Sequence, residues 1–133
     1  MNILSEIAER TRTRIAEERR KMPLAELRAR AEEAPCPQGF PFEAALREEG
    51  VSFICEVKKA SPSKGVIAEE FPYTEIARAY EAAGADCVSV LTEPKWFLGS
   101  DQYLEEVARE VHIPVLRKDF TVDPYMICEA KLL

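Results

Sequence analysis

Charged residues close three short apolar runs in this chain, and their types could do chemistry. Glu56 and Lys58 end the run Phe53-Ile54-Cys55-Glu56-Val57-Lys58; Glu93 ends Cys87-Val88-Ser89-Val90-Leu91-Thr92-Glu93; Lys118 and Asp119 end Val115-Leu116-Arg117-Lys118-Asp119. Glu56 and Lys58 have the same parity, so on a strand both side chains point to one face. Burying them there is costly unless they pair with each other or meet a ligand; a structural ion pair is the plainer alternative. A lysine held among other cations can serve as a general acid near neutrality. Lys118 is the candidate for that role, against the alternative of a solvated strand-end lysine. Asp119 reads as a turn or capping residue. Lys59 and Lys64 flank Ser61-Pro62-Ser63, and the loop amides with Lys58 could hold a phosphate or carboxylate. Trp96 and Phe97 could line an aromatic pocket or pack their own loop.

The elements that must position these groups follow from the pattern. Each apolar run is followed by a loop and a helical pattern, which is a βα repeat. Parallel strands are buried on both faces and read as near-continuous apolar runs. Strands are expected over residues 52–58, 87–92 and 115–118, with helices over 73–83 and 101–111 and a last helix from Asp123-Pro124 to Leu133. Gly84 supplies a helix stop and Ser100 an N-cap. The strand spacing of about 30 residues suits βαβ units, and right-handed crossovers make the three strands parallel. Ligands bind at the carboxyl ends of such strands, so Glu56, Lys58, Glu93 and Lys118 are expected on one rim. The fold class is therefore α/β. Three strands do not close a barrel. They form a small open sheet or the front of a longer (β/α)₈ chain of about 250 residues. The helical pattern that reaches Leu133 without a capping residue favours a truncated chain.

Upstream, Leu4, Ile7, Ala8, Thr11 and Ile15 form one stripe of a helix over residues 3–21, with a solvated face of Arg and Glu opposite. A second helix is expected over 24–34. Pro35, Pro37, Gly39 and Pro41 then break the chain before a short turn over 42–47. The expected organisation is an N-terminal helical extension, residues 1–50, and three βα units of a TIM barrel, residues 51–133.

Composition narrows the function. The 133 residues are 47% apolar with a formal net charge of −6. That balance argues against nucleic acid as a partner, because phosphate backbones need a basic surface. No apolar run approaches the length of a transmembrane helix and no apolar signal region opens the chain, so a cytoplasmic location is expected. The four cysteines, Cys36, Cys55, Cys87 and Cys128, have no C-x-x-C spacing, and Cys55 and Cys87 read as buried core residues. His112 is the single histidine, which makes a metal site improbable.

Three motifs carry a resemblance. Glu56-Val57-Lys58-Lys59-Ala60-Ser61-Pro62-Ser63-Lys64-Gly65 resembles the first-strand signature of indole-3-glycerol phosphate synthase. Leu91-Thr92-Glu93 followed by Phe97-Leu98-Gly99-Ser100 resembles the second βα loop of that family, and Pro114-Val115-Leu116-Arg117-Lys118-Asp119-Phe120 resembles its third strand. The amphipathic N-terminus resembles the extra helices that precede the family's barrel. The resemblance implies a partial TIM (β/α)₈ barrel and a lyase of tryptophan biosynthesis. That enzyme converts 1-(2-carboxyphenylamino)-1-deoxyribulose 5-phosphate to indole-3-glycerol phosphate, a ring closure with loss of CO₂ and water, and uses no cofactor or metal. It further implies Lys118 as the general acid, Lys58 as a substrate-binding lysine active in proton transfer, and Glu56 as the carboxylate beside the anthranilate moiety. Ser61, Pro62 and Phe97 match positions near the substrate. Strands four to eight, a second catalytic glutamate, a strand-six asparagine and most of the phosphate site would lie beyond this chain, so a fragment of little activity that self-associates is expected. Two other readings remain: a Schiff-base aldolase with Lys118 as nucleophile, and a non-catalytic, self-associating half-barrel.

Overall fold

In a computed structural model, which describes residues 2–133, the chain divides into two compact units. One comprises residues 2–36 with Phe120–Leu133, and the other Pro37–Asp119. The last helix therefore groups with the N-terminal helices rather than with the strands.

The helical unit holds α1 (Ile3–Lys21), α2 (Leu24–Glu33) and α6 (Pro124–Leu132). Asn2 caps α1 by accepting from the Ser5 N–H, and α1 buries Ile7, Thr11 and Ile15 at helical spacing, as the stripe predicts. Thr11 can be buried because its hydroxyl donates to the Ile7 carbonyl at 3.0 Å. Both α1 and α2 pack on α6, around Ile15, Leu27, Tyr125 and Met126. Asp123 starts α6 twice over. It accepts from the Tyr125 N–H at 2.8 Å and pairs with Arg19 at 2.8 Å. The Tyr125 hydroxyl donates to the carbonyl of Met22 at 3.1 Å.

The second unit is α/β. It contains α3 (Pro41–Leu46), β1 (Ile54–Val57), β2 (Ala60–Ser61), β3 (Gly65–Val66), α4 (Tyr73–Ala82), β4 (Cys87–Leu91), α5 (Asp101–Glu110) and β5 (Val115–Lys118). The main sheet has the order β1-β4-β5, all parallel. Its strands do not close on themselves. Helix α4 packs on β1 and β4, and α5 packs on β4 and β5. The helix-facing side carries Val57, Val88 and Val90, each at most 1% exposed, against Ala77, Leu104 and Val107. Each such aliphatic side chain contributes about 1.5–3 kcal/mol on burial. The opposite face carries Ile54, Glu56, Cys87, Ser89, Leu91, Leu116 and Lys118, by the register Glu56↔Ser89↔Leu116 and Leu91↔Lys118. Ile54 and Leu116 remain exposed there.

The helix ends match their sequence signals. Gly84 follows α4 at φ 95°, a left-handed stop open to glycine, and Ser100 accepts from the Gln102 N–H to cap α5. Three expectations need correction. The first strand ends at Val57, so Lys58 lies one residue past it. The segment after it, expected to be turn alone, contains the antiparallel β2–β3 hairpin. Cys55 is only half-buried, because β1 is an edge strand, whereas Cys87 on the central strand is fully buried.

Candidate functional site

The C-terminal ends of β1, β4 and β5 lie side by side, and they set out the candidate residues in rows. Glu56 projects from β1 on the face opposite the helices. Ser89, its neighbour across the β1–β4 ladder, donates its hydroxyl to Glu56 Oε2 at 3.1 Å. The Tyr80 hydroxyl donates to the Glu56 main-chain carbonyl at 3.1 Å. Glu56 Oε1 meets Lys58 Nζ at 3.6 Å, with both side chains 34% exposed. The carboxylate is thus fixed on one oxygen and charge-balanced on the other, and both groups stay open to a ligand. At that exposure the pair itself adds little to stability.

Lys118 extends the pattern across the sheet. It is the last residue of β5, opposite Leu91, on the face that carries Glu56. Two interstrand spacings, about 10 Å, separate β1 from β5. An anion and a cation at one edge of this gap therefore face a second cation at the other.

The flanks of Lys118 are held on the helix side. Its own carbonyl accepts from the Thr92 N–H at 3.0 Å. The Thr92 hydroxyl donates to Asp119 Oδ2 at 2.7 Å and accepts from Arg117 Nε at 3.1 Å. Arg117, with its side chain only 7% exposed, also pairs with Asp101 at the start of α5, at 2.9 Å. Asp119 therefore acts at the strand end as a tie to β4. The sequence reading passed over Ser89, Thr92 and Arg117. The available signal was a polar residue inside, or next to, an apolar run, since such a group needs a partner when buried.

Ser61 sits on β2, 7% exposed, and its hydroxyl accepts from the Lys64 N–H at 3.2 Å, which closes the hairpin turn. Pro62 is exposed at that turn, and the Lys59 carbonyl accepts from the N–H groups of Ile67 and Ala68 behind it. Phe97 lies half-buried in the loop after β4. Glu93 does not join the lysines. Its carboxylate accepts from the N–H groups of Lys95, Trp96 and Phe97 in its own loop. The structure thus brings Glu56 and Lys58 into contact, sets Lys118 on the same face, and places Ser61, Pro62 and Phe97 in the connections that leave the same strand ends. Among the described residues, no group of three or more His, Cys, Asp or Glu side chains could hold a metal ion, and no helix is long and apolar enough to cross a membrane.

Comparison with known proteins bears on this arrangement. A family model described as indole-3-glycerol phosphate synthase matches residues 4–133. A protein of that name from Ruminiclostridium cellulolyticum is 52% identical over 131 residues, covering 98% of this chain and 50% of its own length. One from Lacticaseibacillus paracasei is 49% identical over 129 residues, covering 97% of this chain and 50% of its own length. One from Lachnoclostridium phytofermentans is 48% identical over 142 residues, covering 98% of this chain and 52% of its own length. The chain spans about half the length of the curated relatives it matches.

Proposed function

The chain belongs to the indole-3-glycerol phosphate synthase family, and from that premise we propose that its β1–β4–β5 rim serves the family's ring closure. In this reading the sheet is a three-strand segment of a (β/α)₈ barrel. The substrate is 1-(2-carboxyphenylamino)-1-deoxyribulose 5-phosphate. The bond that forms joins the aryl carbon bearing the carboxylate to the ketone carbon; CO₂ and water then leave, and the indole ring is complete.

The observation that carries the reading is the Glu56–Lys58 contact at 3.6 Å, on the same sheet face as Lys118. The attacked ketone oxygen must gain a proton before it can depart as water, and a positioned ammonium delivers one. Lys118 is assigned that role. Lys58 holds an anionic end of the substrate, and its link to Glu56 provides a route for the next proton. Glu56, oriented by Ser89, is assigned a place beside the anthranilate moiety. Phe97 supplies an apolar wall for the aryl ring, and the Ser61-Pro62 turn borders the same space. The exposed edge-strand side chains Ile54 and Leu116 are assigned to self-association.

The test is binding of a reduced substrate analogue, in which the ketone is an alcohol and the ring cannot close. Titration of the chain, followed by NMR, is expected to shift resonances of Glu56, Lys58 and Lys118 together. Shifts confined to residues away from these strand ends, or none at millimolar analogue, would sink the assignment. Borohydride added with the keto substrate is expected to trap no adduct on Lys118; a stable adduct would favour Schiff-base chemistry instead.

A further inference from the structure

The loop between β4 and α5 is folded around a buried carboxylate. Glu93 is 2% exposed. Its Oε1 accepts from the Lys95 N–H at 3.0 Å, and its Oε2 from the N–H groups of Trp96 at 2.7 Å and Phe97 at 3.0 Å. Its main-chain carbonyl accepts from the Gly99 N–H at 2.8 Å. Hydrogen bonds from N–H to an ionised acceptor are shorter and stronger than neutral ones, so one side chain dictates the path of the whole turn.

Two backbone features show how tightly that path is set. Gly99 lies against the strand it left: a Cβ there would stand 2.3 Å from the Leu91 carbonyl oxygen. Leu98 adopts φ 51°, a left-handed conformation that a non-glycine residue holds only where its surroundings impose it. Lys95 Nζ sits 4.3 Å from the centre of the Trp96 ring, which tethers the outer side of the loop.

Resting on the reading that Phe97 forms the wall against the substrate's aryl ring, we propose that Glu93 is a positioning residue. Its carboxylate holds the β4–α5 loop in the shape that receives the ring, so the substrate meets a preformed wall and does not have to order one. Preorganisation of this kind raises affinity by removing an ordering cost.

Glu93→Gln keeps the size and removes one acceptor. The amide NH₂ then faces N–H donors that it cannot accept from. The dissociation constant of the reduced substrate analogue is expected to rise about tenfold, the scale of one lost charged hydrogen bond. Trp96, the single tryptophan, reports on the loop directly. Its emission is expected to move to the red and to become more quenchable by acrylamide. An unchanged dissociation constant, or unchanged Trp96 emission, overturns the proposal. Hydrogen exchange on the unmodified chain needs no variant to fold: the amides of Lys95, Trp96 and Phe97 should exchange at least about 100-fold more slowly than the exposed Ser63 amide. Exchange at Ser63-like rates also overturns it. If the unmodified chain binds no analogue, the substrate reading fails instead, and the emission and exchange results still decide whether Glu93 holds the loop.

Discussion

At the scale of single residues, the lysines separate by what each would lose. Lys118→Ala removes the proposed proton donor, a contribution that is typically 10²–10⁴-fold in rate. In any form of the protein that turns over, kcat is expected to fall roughly 10²-fold or more with a modest change in KM. A near-normal kcat would exclude Lys118 as the acid. Lys58→Ala removes the charge proposed to meet an anion before and during reaction, so KM should rise as kcat falls; wild-type KM with depressed kcat would contradict a binding role. These residues stand out in the sequence because lysines and carboxylates close its apolar runs, although two of the carboxylates, Glu93 and Asp119, turn out to serve as ties to the loop and to Thr92. Ser89 does not. Its hydroxyl matters through Glu56, one strand away, and pairing across strands cannot be seen until the register is known. Glu93 was misplaced for a related reason. Its partners are main-chain N–H groups, which every residue but proline carries, so residue types do not single them out.

Among the elements, those with clear bounds were readable and the two-residue strands were not. The range 3–21 coincides with α1 and 115–118 with β5, because each has a full period of apolar residues or a bounding proline. Strand β1 came out shorter than 52–58: at its start the Phe53 N–H turns to the Asp86 side chain, at 2.7 Å, while the Phe53 carbonyl accepts from the Asp86 and Cys87 N–H groups. The two-residue strands β2 and β3 are too short to show alternation. The strand-end tie through Thr92 invites a test. Thr92→Val preserves shape but leaves Asp119 and the buried Arg117 each without that hydroxyl, so unfolding should become easier by about 1–3 kcal/mol. Denaturant midpoints equal to those of the unmodified chain would show that the remaining partners suffice. A second element-scale test uses pH. The Tyr73 hydroxyl on α4 donates to Glu106 on α5 at 2.5 Å, and this bond, then one from Gln102, holds the Glu106 carboxyl below its ordinary range. A depressed carboxyl stabilises the fold above its unfolded value, about 4.3, and that stability is lost as pH falls through the folded value. The melting-temperature gap between the unmodified chain and Tyr73→Phe should therefore be open at neutral pH and close on acidification. A gap that stays constant to strongly acid pH would mean that the Tyr73 hydroxyl acts independently of the Glu106 charge, and no gap at neutral pH would mean that ring packing with Phe71 and Tyr103, which phenylalanine keeps, suffices to link the helices.

For the whole molecule, the open sheet poses the central question. Strands β1 and β5 each pair only with β4 in the main sheet, so each leaves one side of its backbone without a ladder partner there. The face opposite the helices still presents Ile54 at 47% and Leu116 at 40% exposure. Unpaired edges and exposed apolar surface both favour association, and a second copy of the same chain offers a matching edge and face at once. A closed twofold dimer is the simplest arrangement that covers both. The chain is expected to sediment as a homo-oligomer whose dissociation by dilution exposes apolar surface, read as increased binding of a hydrophobic dye. Association through this face would crowd the rim that carries Glu56, Lys58 and Lys118, so the associated form should bind the reduced substrate analogue more weakly than the dissociated one. Replacing Ile54 and Leu116 together with lysine places like charges on the apolar face and should shift the population to monomer. A monodisperse monomer in the unmodified chain, or an oligomer that survives this double replacement, would show that the exposed sheet face does not drive assembly.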